Sequence, residues 1–349
     1  MPGTTTSTPV SPLSGTHIDT SIVLATCSRA VLLRDALSSL LLQSWDDHHA
    51  IEIIVVDDGS TDDTPALLAE FQRNSPIPFQ ILQGPSLGVA AARNLGCEHA
   101  RGTWLASFDD DQIALPGWLR ALRELADETG AACVGGALAL MLPEGVGVQS
   151  VGPRARRVLG EHLLGDMPKR YSGDPYPATN NVLIRRDLFV SLGGYDVSFT
   201  EGGEDKDFFN RAAAAGQQMW FQPLSPGLHI MTPQRLQNGN LRWTSLRLGA
   251  SDARVRRHGH VVALLRLVAV RACVTMLRDL PALLWAKLRG NRRDDLDVRC
   301  SLWYSEGLMR ALPSMMTRQP KDSAFLRSID FRSRNGERNE ATRRVDPEV

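Results

Sequence analysis

A chain of 349 residues that is 43% hydrophobic and 22% charged is ordinary for a soluble globular protein and can bury a sizeable core. No uncharged apolar run reaches the length of about eighteen residues expected of a membrane span, and the first residues lack the basic and apolar regions of a secretory signal. Five scattered cysteines without CxxC spacing argue against a zinc site or a disulfide framework, so a reducing cytoplasm is the expected location. Basic and acidic residues balance at 39 each, but from Gln234 onward Lys and Arg outnumber Asp and Glu by about two to one, which implies two regions with different tasks.

Residues 1–18, rich in Thr, Ser and Pro, read as a disordered leader. Residues 21–29 read as a first strand ending in small polar residues, and 31–43 repeat leucines at helical spacing. The run 51–56 is a second buried strand that ends in Asp57 and Asp58, with Asp62, Asp63 and Pro65 starting the next helix. A third strand is expected over 79–83, followed by a helix opened by Gly88 with Arg93 near its start. The apolar run 104–108 then drives into three consecutive carboxylates, Asp109, Asp110 and Asp111, before a helix over 116–128. Four short apolar strands alternating with helices predict an α/β fold with a mostly parallel, doubly wound sheet flanked by helices. A further strand is expected over 131–140, where the pair Gly135-Gly136 suggests a bulge. Residues 142–177 lack a clear period and read as a mobile or acceptor-shaped loop, and 182–184 form another short strand.

Nothing about folding requires three adjacent acids at the end of a buried strand. Ligands bind at the carboxyl ends of strands in open α/β sheets, and hard oxygen donors suit Mg2+ or Mn2+ shared with substrate phosphates. A solvated loop that caps the next helix is the bland alternative. The Asp57/Asp58 pair falls on the same sheet edge, which favours a ligand site. No GxGxxG follows the first strand and no GxxxxGK[ST] occurs, so dinucleotide and P-loop readings lose their support. In the remaining arrangement the first acidic pair would meet base and ribose, Arg93 would face phosphate or else serve as a surface ion-pair partner, and Asp111 would face the metal. Further on, Gly202-Gly203-Glu204-Asp205 opens a helix. These acids either answer the helix dipole or supply a general base for an acceptor hydroxyl. Asn181 and Gly203 are candidate contacts to acceptor or donor sugar, although a turn residue is the commoner role for a lone Asn. His229 stands alone in an apolar setting, where a structural hydrogen bond is the commoner role.

Taken in order, 21–29, Asp57-Asp58-Gly59-Ser60, Gly88 with Arg93-Asn94, Asp109 to Asp111, Asn181 with Arg185-Arg186, Gly193-Gly194-Tyr195-Asp196, Glu204-Asp205 and His229 resemble the family-two glycosyltransferases, which have the GT-A fold. The resemblance covers about residues 20–230. It implies that Thr26, Asp57, Asp58, Arg93, Asp109 and Asp110 bind the nucleotide and that Asp109 to Asp111 form the DxD motif. Asp111, joined by His229 in some branches, would hold Mg2+ or Mn2+, and Asp205 beside Glu204 would be the catalytic base of an inverting transfer. The first strand departs from the family pattern by ending Ala25-Thr26-Cys27-Ser28, without the usual flanking proline, aromatic residue and asparagine.

The implied domain is 19–233, followed by a basic helical extension over 234–320 and a polar tail over 321–349 that is expected to be disordered. At helical spacing Arg271, Arg278 and Arg289 share a face, which suits an anionic bilayer at the inner side of the cytoplasmic membrane, a homodimer interface, or packing on the catalytic domain. The expected partners are a nucleotide-sugar donor and a sugar, lipid-linked or small-molecule acceptor, and no nucleic acid. A metal-dependent nucleotidyltransferase and a non-catalytic nucleotide-sugar-binding protein are the competing readings.

Overall fold

The computed structural model describes residues 17–43, 50–173, 175–199, 202–259 and 261–316. Nearly all of the expected leader, and the whole of the expected tail, lie outside the described residues. Strands β1 (Thr20–Thr26), β2 (Ile51–Asp57), β3 (Phe79–Gln83) and β4 (Trp104–Phe108) lie in the order β3-β2-β1-β4, all parallel. Their continuous apolar runs follow from burial on both faces. Ile22, Leu24, Ile53, Val55 and Phe108 pack against Leu33, Leu37 and Leu40 of helix α1 (Ala30–Leu41). Their neighbours Val23, Ile54 and Leu105 turn to the opposite face, toward Ala90 and Cys97 of α3 (Val89–His99). Helix α2 (Thr64–Asn74) completes this half.

The second half makes the nine-stranded sheet mixed. After β5 (Gln112–Ala114), α4 (Trp118–Thr129) and β6 (Cys133–Met141), the chain forms α5 (Pro153–Val158) and β7 (Lys169–Arg170). Then β8 (Asn181–Arg185) enters between β4 and β6, antiparallel to both. Helices α6 (Arg186–Ser191) and α7 (Glu204–Ala214) precede β9 (Met219–Ile230), which runs parallel to β6. The expected bulge is present as a register shift between Gly136 and Leu138, opposite a β9 stretch that contains Pro223 and Pro226. Neither proline can donate to the ladder, so the shift removes the need.

Asn181 sits beneath that bulge, 2% exposed, and this corrects its expected role as a sugar contact. Its Oδ1 accepts from Trp118 Nε1 at 2.7 Å, while Nδ2 donates to the carbonyls of Ala137 at 2.9 Å and Ser225 at 3.1 Å. The side chain is spent inside the sheet. Asn181→Ala is expected to lower stability by about 3 kcal/mol, because it strands a buried indole N–H and two buried carbonyls. Urea unfolding is the measurement, and a midpoint equal to that of wild type would refute the tie.

The stretch 142–177 is not the free loop its aperiodic sequence suggests. Val151, Ala155 and Leu159 pack with Met231, Leu241 and Cys300, and Asp297 Oδ1 accepts from the Arg154 and Ala155 amides at 2.6 and 3.0 Å. The helical region comprises α8 (Asn238–Gly259), α9 (Val261–Val274), a π turn (Thr275–Asp279), α10 (Leu280–Leu288) and α11 (Arg292–Met316). A Cβ on Gly249 would strike the Tyr304 carbonyl and one on Gly307 that of Leu246, so α8 and α11 cross in close contact through this glycine pair. Pro281, lacking an N–H, follows the π turn that absorbs the mismatch in the helical ladder. The expected common face of Arg271, Arg278 and Arg289 does not form. Arg271 turns inward to Ser301, Ser305 and buried Asp279, with its guanidinium over the Tyr304 ring. All five cysteines are free thiols.

Candidate active site at the carboxyl ends of the strands

Three parallel strands end together at this edge. Thr26 of β1 pairs in register with Asp57 of β2, and the acids after β4 lie on the other side of β1. The first acidic pair is engaged with backbone: Asp57 Oδ1 accepts from Ser60 N at 2.9 Å, and Asp58 accepts from the amides of Ser86 at 2.6 Å and Gly88 at 3.2 Å. These carboxylates therefore shape the loops above β2 and β3.

The three aspartates face different partners. Asp110 accepts from Thr26 Oγ1 and from Arg29 Nη1, both at 2.7 Å. Asp111 accepts from Arg29 at 3.1 Å and from Arg235 Nη2 at 2.5 Å. Asp109 has the most exposed side chain of the three, at 31%, and accepts from Arg93 Nη2 at 2.6 Å. Burial lifts the Asp110 carboxyl above its ordinary value, with Arg29 opposing. Burial would lift Asp111 too, but the guanidinium charges of Arg235 and Arg29 hold it well below the carboxylate range.

His229 reaches this cluster through strand pairing that its apolar surroundings in sequence do not reveal. It lies on β9 opposite Gln112 of β5, one residue after Asp111. Its Nε2 accepts from Arg235 Nη1 at 2.6 Å and stands 3.4 Å from Asp111 Oδ1, a buried atom with no hydrogen-bond partner among the described residues. The second acidic motif joins from α7. Arg93, expected to face phosphate or to serve as an ion-pair partner, is 7% exposed and bridges Asp109 to Glu204 Oε1, the latter at 2.9 Å. Glu204 Oε2 is buried without a hydrogen-bond partner among the described residues. Burial raises the carboxyls of both Glu204 and Asp205, reinforced at Glu204 by the neighbouring Asp205 charge and opposed at both by Arg93. Gly203 caps α7 at φ +103°, and a Cβ there would meet Ser251 Oγ of α8 at 2.6 Å, so the glycine serves backbone shape and helix contact.

Arg29, Arg235 and Arg247 had no role in the sequence reading. Arg247 of α8 approaches Gly202, and the Glu204 and Asp205 charges act on it from close range, although burial still lowers its guanidinium. The detectable signal for the last two was the basic excess after Gln234, whose arginines neutralise acids of the preceding region.

An α/β sheet whose strand ends gather carboxylates from separate motifs, with helices appended, defines a protein of the GT-A fold. Residues 21–189 match the sequence profile described as "Glycosyl transferase family 2", and that part of the chain belongs to the family. ExoM, the succinoglycan biosynthesis protein of Rhizobium meliloti, is 29% identical over 71% of this chain and 75% of its own length. The GalNAc(5)-diNAcBac-PP-undecaprenol beta-1,3-glucosyltransferase of Campylobacter jejuni is 34% identical over 31% of this chain, which spans only 34% of that protein. Among solved structures, the mannosyltransferase PcManGT from Pyrobaculum calidifontis, in complex with GDP-Man and Mn2+, superposes with a TM-score of 0.61 at 17% identity, over 87% of this chain and 89% of its own. The protein is a glycosyltransferase.

Proposed function

We propose that the chain is an inverting glycosyltransferase that moves a sugar from a nucleoside-diphosphate sugar to an acceptor hydroxyl. The reading is supported by the Arg93 bridge, which ties the acids after β4 to the Glu204-Asp205 motif, so that a donor held by those acids would lie beside a candidate base. Thr26, Asp57, Asp58, Asp109 and Asp110 would surround the nucleoside. Arg29, Arg235 and Arg247 would offer positive charge to the diphosphate.

A divalent cation fits the donor set. Asp111 is held in its ionised form, its Oδ1 has no hydrogen-bond partner among the described residues, and His229 Nε2 faces the same position as an acceptor; a guanidinium, itself a cation, lies against both. Among the described residues no group of three or more His, Cys, Asp or Glu side chains could hold a metal, so two protein ligands would leave the other positions to water and diphosphate oxygens. When bound, Mg2+ or Mn2+ would neutralise charge on the departing diphosphate.

Asp205 would take the acceptor hydroxyl's proton as the acceptor oxygen bonds to the anomeric carbon. The bond from that carbon to the diphosphate oxygen breaks with its electron pair leaving on phosphate. One in-line displacement inverts the centre. The catalytic unit so described spans 19–233 and draws Arg235 and Arg247 from the helical extension.

The test is a panel of UDP-, GDP- and TDP-sugars with Mn2+ or Mg2+, monitored for release of nucleoside diphosphate. One donor is expected to turn over, with the rate lost on adding EDTA and restored by metal. Direct Mn2+ titration should show weaker binding in His229→Ala and none in Asp111→Asn. Thermal shifts without turnover would identify a binder, pyrophosphate release from nucleotide and sugar phosphate would identify a nucleotidyltransferase, and full activity in EDTA would remove the metal.

A further inference from the structure

We infer that the outer face of α9, the π turn and α10 is a docking surface for an anionic lipid bilayer, on which the helix lies without crossing. Large apolar side chains stand exposed along it: Leu265 at 61%, Met276 at 66%, Leu277 at 80%, Leu284 at 61%, Trp285 at 57% and Leu288 at 73%. Met276, Leu280, Leu284 and Leu288 recur every fourth residue, a single helical stripe, while Asp279 and Ala286 on the other side are buried against the protein. A stripe of this extent on a water-facing helix marks a contact site.

Charge identifies the occupant. Between residues 261 and 293 six basic side chains are exposed, Arg266, Arg278, Lys287, Arg289, Arg292 and Arg293; the one acid in that stretch, Asp279, is fully buried and pairs with Arg278 at 2.9 Å, and the next acid, Asp294, is exposed at its edge. Arg289 stacks its guanidinium 4.3 Å from the Trp285 ring centroid, an amphipathic pair suited to the level of lipid headgroups. A two-fold dimer through the same patch would set these cations against their own copies, with exposed Asp294 the one acid beside them, too few to pair them all. No described helix is long and apolar enough to cross a membrane, which leaves an in-plane position. The surface does not depend on the proposed reaction.

Flotation of the full-length protein with phosphatidylcholine vesicles, with and without phosphatidylglycerol, tests the inference. Binding is expected to the anionic vesicles, to fall about fivefold for each exposed base neutralised, and to weaken with salt. Leu277→Asp/Leu284→Asp should cut vesicle binding at least about tenfold through lost apolar burial, with melting temperature and donor turnover unchanged because both side chains are exposed. Brominated lipid should quench the wild type more than Trp285→Phe, a readout that needs no charged substitution. Failure to bind anionic vesicles, or binding unaffected by the double substitution, overturns the inference. So does a wild-type dimer that the double substitution converts to monomer, since a second copy would then cover the face.

Discussion

Asp205→Asn is expected to reduce sugar transfer by about a hundredfold to ten-thousandfold, the range for loss of a positioned general base, while nucleotide affinity stays near that of wild type. Asparagine keeps the volume and the short contact to the Lys206 amide, at 2.6 Å in the native protein, but cannot accept a proton at neutral pH. The wild-type pH profile supplies a second readout. Burial raises the Asp205 carboxyl, so its ionised, proton-accepting form is lost on acidification sooner than for an ordinary carboxylate. Activity should therefore fall as pH decreases, with the acidic limb above the usual value of about 4. Substantial Asp205→Asn activity at saturating donor would sink the base assignment. Should Glu204→Gln flatten the limb while Asp205→Asn leaves it, the base is Glu204, whose Oε2 is the unpartnered oxygen.

Arg93→Met should cost about 3–5 kcal/mol of stability, the penalty for removing one member of a buried charged pair. The native guanidinium serves two carboxylates at once, Asp109 and Glu204, and the Arg93 and Glu204 side chains are only 8% and 6% exposed. In the variant Glu204 has no replacement for this hydrogen bond and is disfavoured as an anion, so its folded-state proton affinity rises further above that of the unfolded chain. Folding then takes up a proton, and the deficit relative to wild type should shrink as pH falls through that raised value. Chemical denaturation at several pH values measures this. A deficit constant with pH would mean that lost packing, not stranded charge, is the cause. Lysine at this position keeps the charge but cannot fork between two carboxylates, so Arg93→Lys should restore only part of the stability.

Much of this site was legible because strand ends announce themselves. Apolar runs terminating in Asp57-Asp58 and Asp109-Asp110-Asp111 place acids on a common edge once the strands are parallel, whatever the helices between them do. The parallel half of the sheet followed from the same local signals. The mixed half did not: a five-residue strand, β8, has no local property that selects β4 and β6 as antiparallel neighbours. By local rules the prolines of β9 would end a strand early, yet the register shift opposite Gly136 lets it continue to His229. Asn181 looked like a ligand contact because its three hydrogen-bond partners come from sheet segments and a helix far from it in sequence.

The amino-acid sequence by itself determined the α/β class, the position of the acidic motifs on strand and helix ends, and the basic bias of the C-terminal third. These depend on periodicity and composition, which act over a few residues. Tertiary structure alone decided how the charges combine: Arg93 bridging two motifs, His229 beside Asp111, Arg235 and Arg247 entering from the helical region, and Arg271 turning inward. Each is a pairing across tens of residues. A buried carboxylate demands some counter-charge or proton, but only the packed chain selects the arginine that answers it.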